Sequence, residues 1–366
     1  MKKTVYIHIG TGKTGTSAIQ SFMHYNRKKL AKEFSCLYPN FSDFFPLDGT
    51  PHNHVHVFKN RSPDAILASL RAMREYSEKK QYHNIVLSWE ALFDRPGYAD
   101  LLLQAVGDQE ETRCVIIAYV RRPDHWYESA WKEWGVRNKK YQDIDDYIQK
   151  KPLKWDDRLQ KWADVFGKEN MVVHAYEKEQ LPHGLIDDFL GILKIDYQGN
   201  AWIEPPGEKK NANYGFNRDV VEILRLNREF YSRTSDNRLV NFFSDYLDDS
   251  FKKKPFEFYS LLSPAQRMAI LEKNEPMTRR IARDFLGRDD GRLFYEKLPD
   301  VNASWEPYPG LSVEAIVPIF TQVLYNMQRE NQGHRYFMYS WIRDTLRQYL
   351  QNISILQDRK TKKEKR

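Results

Sequence analysis

Cysteine is scarce: the 366 residues contain two, Cys36 and Cys114. They stand far apart, with no His or Cys neighbours at ligand spacing. This excludes a disulfide framework and a cysteine zinc site, and makes a reducing compartment the default. Long apolar runs are missing as well. No stretch approaches the roughly 20 apolar residues of a membrane span. The opening "MKKTVYIHIG" has an apolar run of only about five residues before its glycine, short of the roughly 7 to 15 of a secretory leader. The expectation is a soluble, cytoplasmic protein without a transmembrane segment. Charge of one sign is also modest: 57 Lys+Arg against 50 Asp+Glu gives +7. Part of that excess lies in the tail "DRKTKKEKR" (358–366), which reads as a solvated terminus. The remaining weak basicity suits a small anionic ligand. Basic residues are dispersed, with no helix-turn-helix, finger or aromatic RNA platform, so nucleic acid is not an expected partner.

What is present is enough to build a core: 41% of residues are hydrophobic, and there are 22 Tyr, 20 Phe and 9 Trp. Such an aromatic surplus serves either a Tyr-rich core and rim or faces that stack on sugar rings. Short β-branched runs alternate with helical patterns. "TVYIHI" (4–9), "NIVLSWE" (84–90), "RCVIIAYV" (113–120) and "NMVVHAYE" (170–177) read as buried strands. Between them, 16–30, 63–80, 121–134, 156–166 and 185–193 carry helical features. This cadence predicts an α/β fold, a central parallel sheet with helices on both faces. From about Asn217 the pattern becomes long helices with no clear strand, a helical C-terminal cap or extension. The expected organisation is one domain over 1–350, with an α/β core over 1–205 and a mainly helical portion over 206–350. A basic, disordered tail is expected over 351–366.

The segment "HIGTGKTGTSAIQ" (8–20) lies between the first strand and the first helix, where a phosphate cradle has to sit. A P-loop needs Gly, four residues, then Gly-Lys-Ser/Thr. Gly10 and Gly15 keep that separation, but Thr16 stands where the lysine belongs, and the lysine is Lys13, inside the loop. A nucleoside-triphosphate site would also need an apolar strand ending in Asp for its metal. "NIVLSWE" ends in Ser-Trp-Glu and "RCVIIAYV" runs into Arg121; Glu90 could take the place of the Asp. Backbone N–H groups of residues 12 to 17 at a helix N-terminus can still hold one phosphate, with Lys13 aimed at a bridging oxygen beyond it.

The loop resembles that of the P-loop sulfotransferases of bacterial carbohydrate type, which carry a Lys-x-Gly-Thr-Thr/Ser element. "YVRRPDHWYES" (119–129) is similar to their second signature, supplying Arg121, Pro123 and Ser129 in register. "LSWEAL" (87–92), "KKNANYGFNRDVVEILRLN" (209–227) and "NEPMTRRIARDFLGRDDGRLF" (274–294) also resemble family segments, though Trp89, Asn213 and Tyr214 stand where Ser is usual. The resemblance implies a P-loop-type α/β fold and 3′-phosphoadenosine 5′-phosphosulfate as sulfuryl donor, leaving adenosine 3′,5′-bisphosphate. It implies no metal requirement and a hydroxyl-bearing acceptor, a carbohydrate or glycoconjugate. Carried onto this sequence, Gly12, Lys13, Thr14, Gly15, Thr16 and Ser17 cradle the 5′-phosphate, with Lys13 also on the leaving oxygen. Arg121 and Ser129 hold the 3′-phosphate, and Lys210 and Asn211 close over the nucleotide.

The base that takes the acceptor proton is open between two candidates. Glu90 follows a central strand on the side where switch-point ligands bind. His54 belongs to "HNHVHVF" (52–58), whose alternating histidines 52, 54 and 56 would share one strand face. No carboxylate or cysteine stands at ligand spacing beside them, which makes a base or sugar contact a better reading than zinc. His8, His83 and His174 read as packing or surface residues. Two other functions remain open: a P-loop kinase or NTPase with a displaced lysine, and a non-catalytic nucleotide-binding protein of the same fold.

Overall fold

The computed structural model describes residues 3–46, 53–106, 112–205, 215–233, 236–253 and 259–329. Five parallel strands form one sheet: β1 (Lys3–Gly10), β2 (Cys36–Leu37), β3 (Asn84–Ser88), β4 (Thr112–Val120) and β5 (Met171–Ala175). Their order is β2-β3-β1-β4-β5, so β1 is central and pairs with β3 and β4. The apolar run of β1 is buried over six successive residues, as a strand covered on both faces must be.

Helix α1 (Thr16–Phe34) leads from β1 to β2. Next come α2 (Val55–Phe58), α3 (Pro63–Lys79), α4 (Tyr98–Val106), α5 (Pro123–Ala130), α6 (Ile144–Lys150), α7 (Trp155–Phe166) and α8 (Leu185–Ile192). On one face Ile19, Phe22 and Met23 of α1 and Phe189 and Leu190 of α8 pack on Tyr6, Val86, Val115, Ile117 and Tyr119 of the strands. Side chains alternate along strands, so the opposite face is the set containing Val5, Ile7, Ile9, Ile116 and Ala118, all buried. Helices α3, α4 and α7 form a contiguous layer there. Gly167 closes α7 at φ 86°, as its sequence position suggested.

The chain divides into two compact units. The first comprises Met1–Gly135, Tyr141–Asn213 and Ser260–Pro307. It contains the sheet and also the long helix Pro264–Leu286, which packs on α5, α7 and β5. The second comprises Val136–Lys140, Tyr214–Tyr259 and Tyr308–Arg366, with helices Arg218–Leu226, Arg238–Tyr246 and Val313–Arg329. It also has a strand pair that the sequence pattern did not signal: Gly215–Phe216 runs antiparallel to Lys252–Lys253. Two residues per strand are too few to register as an alternation. Among the described residues no helix is long and apolar enough to cross a membrane.

The histidine segment departs from its expected form. Val55–Phe58 is a helical turn, not a strand, so 54 and 56 do not share a strand face. His52, Lys210, Asn211 and the tail 351–366 lie outside the described residues.

Candidate functional site

The first unit gathers Lys13, Glu90 and Arg121 around the C-terminal ends of β1, β3 and β4. This is where ligands bind in open α/β sheets, at the point where strand order reverses. The pairing of β1 with β4 slips by one residue between His8 and Gly10, a bulge at the mouth of the loop. Gly10 then takes φ 97°, and Thr11 is tied to Tyr119 O by its N–H (2.8 Å) and its hydroxyl (3.1 Å).

The loop is held by its carbonyls. Thr11 O accepts from the hydroxyls of Thr14 (2.5 Å) and Thr16 (3.4 Å). Gly12 O accepts from the Trp126 indole at 3.0 Å, and Lys13 O from the Arg121 guanidinium at 3.1 Å. A trans peptide points its C=O and the following N–H in opposite directions. The amides of Gly12, Lys13 and Thr14 therefore face away from these protein donors. Amides so placed, together with the N–H groups that begin α1, are the kind of donors from which anion-binding concavities are built. Lys13 accepts φ 70°, an uncommon conformation for a residue with a side chain. Gly15, at φ 75°, is packed so closely that an added Cβ would stand 2.4 Å from Leu185 Cδ2. A Cβ on Gly12 would stand 2.6 Å from Trp134 Cη2, so that ring lies directly against the loop.

Lys13 Nζ forms an ion pair with Glu133, which lies in a π-helical turn (Trp131–Gly135) continuing α5. The two arginines after β4 differ sharply. Arg122 is buried and binds both carboxylate oxygens of Asp124 at 2.8 Å, with Glu296 at 3.2 Å. Burial works against its charge, but Asp124, by hydrogen bond and charge, together with Glu296 and Glu177 raises its pKa overall. Asp124 is fully buried; burial favours its neutral acid, yet Arg122, His125 and Arg267 bring it down to about 2. Arg267 also reaches Glu128, and Lys132 meets Glu128 at 3.2 Å. Arg121 instead has no carboxylate at salt-bridge distance among the described residues. It donates to Lys13 O and lies over the Tyr176 ring, 5.6 Å from its centroid. Burial pushes its pKa down, with Tyr176, Asp124, Glu128 and Glu296 acting oppositely. Ser129 is on α5 about two turns beyond Arg121 and is partly exposed. Ser17, at the start of α1, is exposed.

The base candidates also separate. Glu90 opens a short turn after β3 and is partly exposed; its Oε2 accepts from Gln20 Nε2 at 3.0 Å. His54 is buried, and both its nitrogens serve the backbone. Ser88 N donates to Nδ1 at 2.9 Å, so Nε2 carries the proton and donates to Pro39 O at 3.1 Å. Burial lowers its pKa to about 3. In this arrangement His54 has no nitrogen left to take a proton, and it acts as a structural clamp between β3 and residue 39. His8 is likewise buried, lowered to about 3 by desolvation, and bonded to Ser88 Oγ at 2.9 Å. Among the described residues no group of three or more His, Cys, Asp or Glu could hold a metal ion.

Sequence reasoning did not single out Gln20, Trp126, Glu133, Trp134 or Tyr176. A partial signal existed: Glu133 follows Ser129 by four residues, one helical turn. Tyr176 follows β5 as Arg121 follows β4. The aromatic residues near Glu90 pack inward: Tyr38, Phe41, Phe58 and Trp89 are all buried, with Trp89 stacked on Phe58 at 5.4 Å.

No family model matches the chain. An uncharacterized protein of Archaeoglobus fulgidus is 24% identical over 222 residues, 59% of this chain. The chain spans 58% of that relative's length. Among solved structures, a sulfotransferase from Alicyclobacillus acidocaldarius has a TM-score of 0.35 and 17% identity, covering 58% of this chain and 90% of its own. The sulfotransferase domain from the curacin biosynthetic pathway has a TM-score of 0.35 and 12% identity, covering 75% and 97%. At these scores neither likeness bears on chemistry, which has to be argued from the residues.

Proposed function

We propose that this chain is a sulfotransferase that moves a sulfuryl group from 3′-phosphoadenosine 5′-phosphosulfate to a hydroxyl acceptor. What supports the reading most is one arrangement. Three successive loop carbonyls are turned onto protein donors, which frees the intervening amides for an anion, beside Arg121, a half-buried cation with no carboxylate at salt-bridge distance among the described residues. Arg121 approaches the Lys13–Thr14 peptide from its carbonyl side and the amide concavity lies on the other, which suits a ligand with two separate anionic groups. The altered motif fits as well: Thr16 takes the place of the P-loop lysine.

In this reading the amides of residues 12 to 17 hold the 5′-phosphate, and Arg121 and Ser129 hold the 3′-phosphate. The planar fork of Arg121 suits phosphate oxygens. The acceptor oxygen attacks sulfur in line, the bond from sulfur to the bridging oxygen breaks, and the bisphosphate leaves. Lys13 exchanges Glu133 for that bridging oxygen and stabilises its developing charge. Glu90 takes the acceptor proton; His54 is not assigned to that step, because both its nitrogens are engaged. Lys210 and Asn211 remain assigned to the nucleotide by resemblance alone, and so does the saccharide nature of the acceptor. The transferred group carries less charge than a γ-phosphoryl group, so protein cations and N–H donors can carry the load.

The test is sulfuryl transfer from labelled donor to a panel of p-nitrophenyl glycosides, in wild type and in Lys13→Ala and Arg121→Ala. Transfer that disappears in both variants is expected; undiminished transfer in either would overturn the assignment of these residues.

A further inference from the structure

Gln20 connects the helix of the anion-binding loop to the proposed base. It is buried, one turn into α1, and its Nε2 lies 3.0 Å from Glu90 Oε2 and 3.2 Å from Ser88 Oγ. The orientation of this amide is fixed by chemistry. A carboxylate only accepts, so the Gln20 NH2 group, not its carbonyl, must face Glu90. Its second proton goes to Ser88 Oγ, and the Ser88 hydroxyl proton goes on to His8 Nδ1 at 2.9 Å. Burial keeps His8 neutral, and His8 Nε2 has no hydrogen-bond partner among the described residues. Ser88 is itself clamped by two reciprocal bonds with His54, N–H to Nδ1 (2.9 Å) and His54 N to Ser88 O (3.1 Å). The result is a directed chain, Glu90←Gln20→Ser88→His8, rooted in β1 and β3.

We propose that Gln20 is a positioning residue for Glu90: its amide, anchored on Ser88, fixes one carboxylate oxygen and leaves Oε1 for the acceptor hydroxyl. This rests on the assignment of Glu90 as base in the preceding reading. It also gives His54 and His8 a role, since both bind the serine that orients Gln20. Because Gln20 belongs to α1, which begins at the proposed phosphate cradle, one hydrogen bond ties the base to the helix that follows the donor loop.

The test has two readouts. In protein carrying 13C-labelled glutamate, the carboxylate infrared band that disappears in Glu90→Gln is assigned to Glu90. In Gln20→Met, of similar volume, that band should shift, because a charge-assisted hydrogen bond is lost. Affinity for adenosine 3′,5′-bisphosphate should stay within about twofold. Transfer to p-nitrophenyl glycosides should fall about tenfold in kcat at unchanged donor KM, the scale of one hydrogen bond to a charged group. In the Glu90→Gln background Gln20→Met should cost nothing further. If Gln20→Met fails to fold, Ser88→Ala frees the amide to rotate and should displace the same band. An unmoved Glu90 band, or a kcat loss that persists without Glu90, overturns the inference. A wild type that does not bind the bisphosphate would instead defeat the underlying functional reading.

Discussion

Replacing Gly10 by alanine strikes the point where strand, loop and base meet. A Cβ there would stand 3.0 Å from both Cα and O of Glu90. These are backbone atoms and cannot swing aside. The residue also has φ 97°, in the region where side chains are disfavoured. Left-handed backbone costs a residue with a Cβ about 1–2 kcal/mol. Forcing atoms into a well-packed interior costs about 1–3 kcal/mol more. The expected destabilisation is therefore about 2–5 kcal/mol. Gly97→Ala is the control: its added Cβ meets nothing within 4 Å, and a neutral surface change stays within about 0.5 kcal/mol. Urea unfolding followed by tryptophan fluorescence compares the two. Gly10→Ala should unfold at clearly lower urea and bind adenosine 3′,5′-bisphosphate more weakly, because relief of the clash shifts the Gly10–Glu90 contact. If the two variants unfold together, the close approach of β1 to Glu90 is wrong.

Three further expectations follow from the same geometry. Glu133→Gln frees Lys13 from its ion pair; both side chains are partly exposed, so the gain is small, up to about fivefold tighter bisphosphate binding by calorimetry. Weaker binding would mean that Glu133 supports the ligand rather than competes with it. Arg121→Lys keeps the charge but loses the fork, and its bisphosphate Kd should rise about tenfold or more; an unchanged Kd would argue against a phosphate on Arg121. Stability should also depend on pH through His8 and His54. Both are lowered from 6.5 to about 3 when folded, so the unfolded chain binds more protons between those values. Their contribution is complete above about pH 6.5 and is lost as pH falls, by up to about 1.4 kcal/mol per unit for each histidine. A urea midpoint that does not fall between pH 7 and 5 would contradict their buried, neutral state.

Four of the five strands were legible because they are short apolar runs rich in β-branched residues, and each of those four sits within a few residues of its expected place; the edge strand β2, two residues long, was not foreseen. The loop was legible for a related reason: Gly10 and Gly15 adopt positive φ, a demand that glycine spacing announces. The histidine segment misled because alternation over so few residues is compatible with one helical turn. What decides the role of His54 is a backbone amide of Ser88, 34 positions away. Sequence register with the family motif singles out Arg121, whereas the pairing of Arg122 with Asp124, which leaves Arg121 as the cation proposed for the ligand, depends on the fold. Gln20 was out of reach because its partners lie far along the chain, and the spacing of Glu133 and position of Tyr176 were only a partial signal, since their partners Lys13 and Arg121 are also distant. The short pairing of residues 215–216 with 252–253 has no periodicity to detect.

The most direct measurement is calorimetric titration with adenosine 3′,5′-bisphosphate, without metal, beside ATP with Mg²⁺. The proposed reading predicts metal-independent binding of the bisphosphate that is lost in Arg121→Ala. Binding of ATP with Mg²⁺ instead, unaffected by Arg121→Ala, would contradict it and assign the loop to phosphoryl transfer.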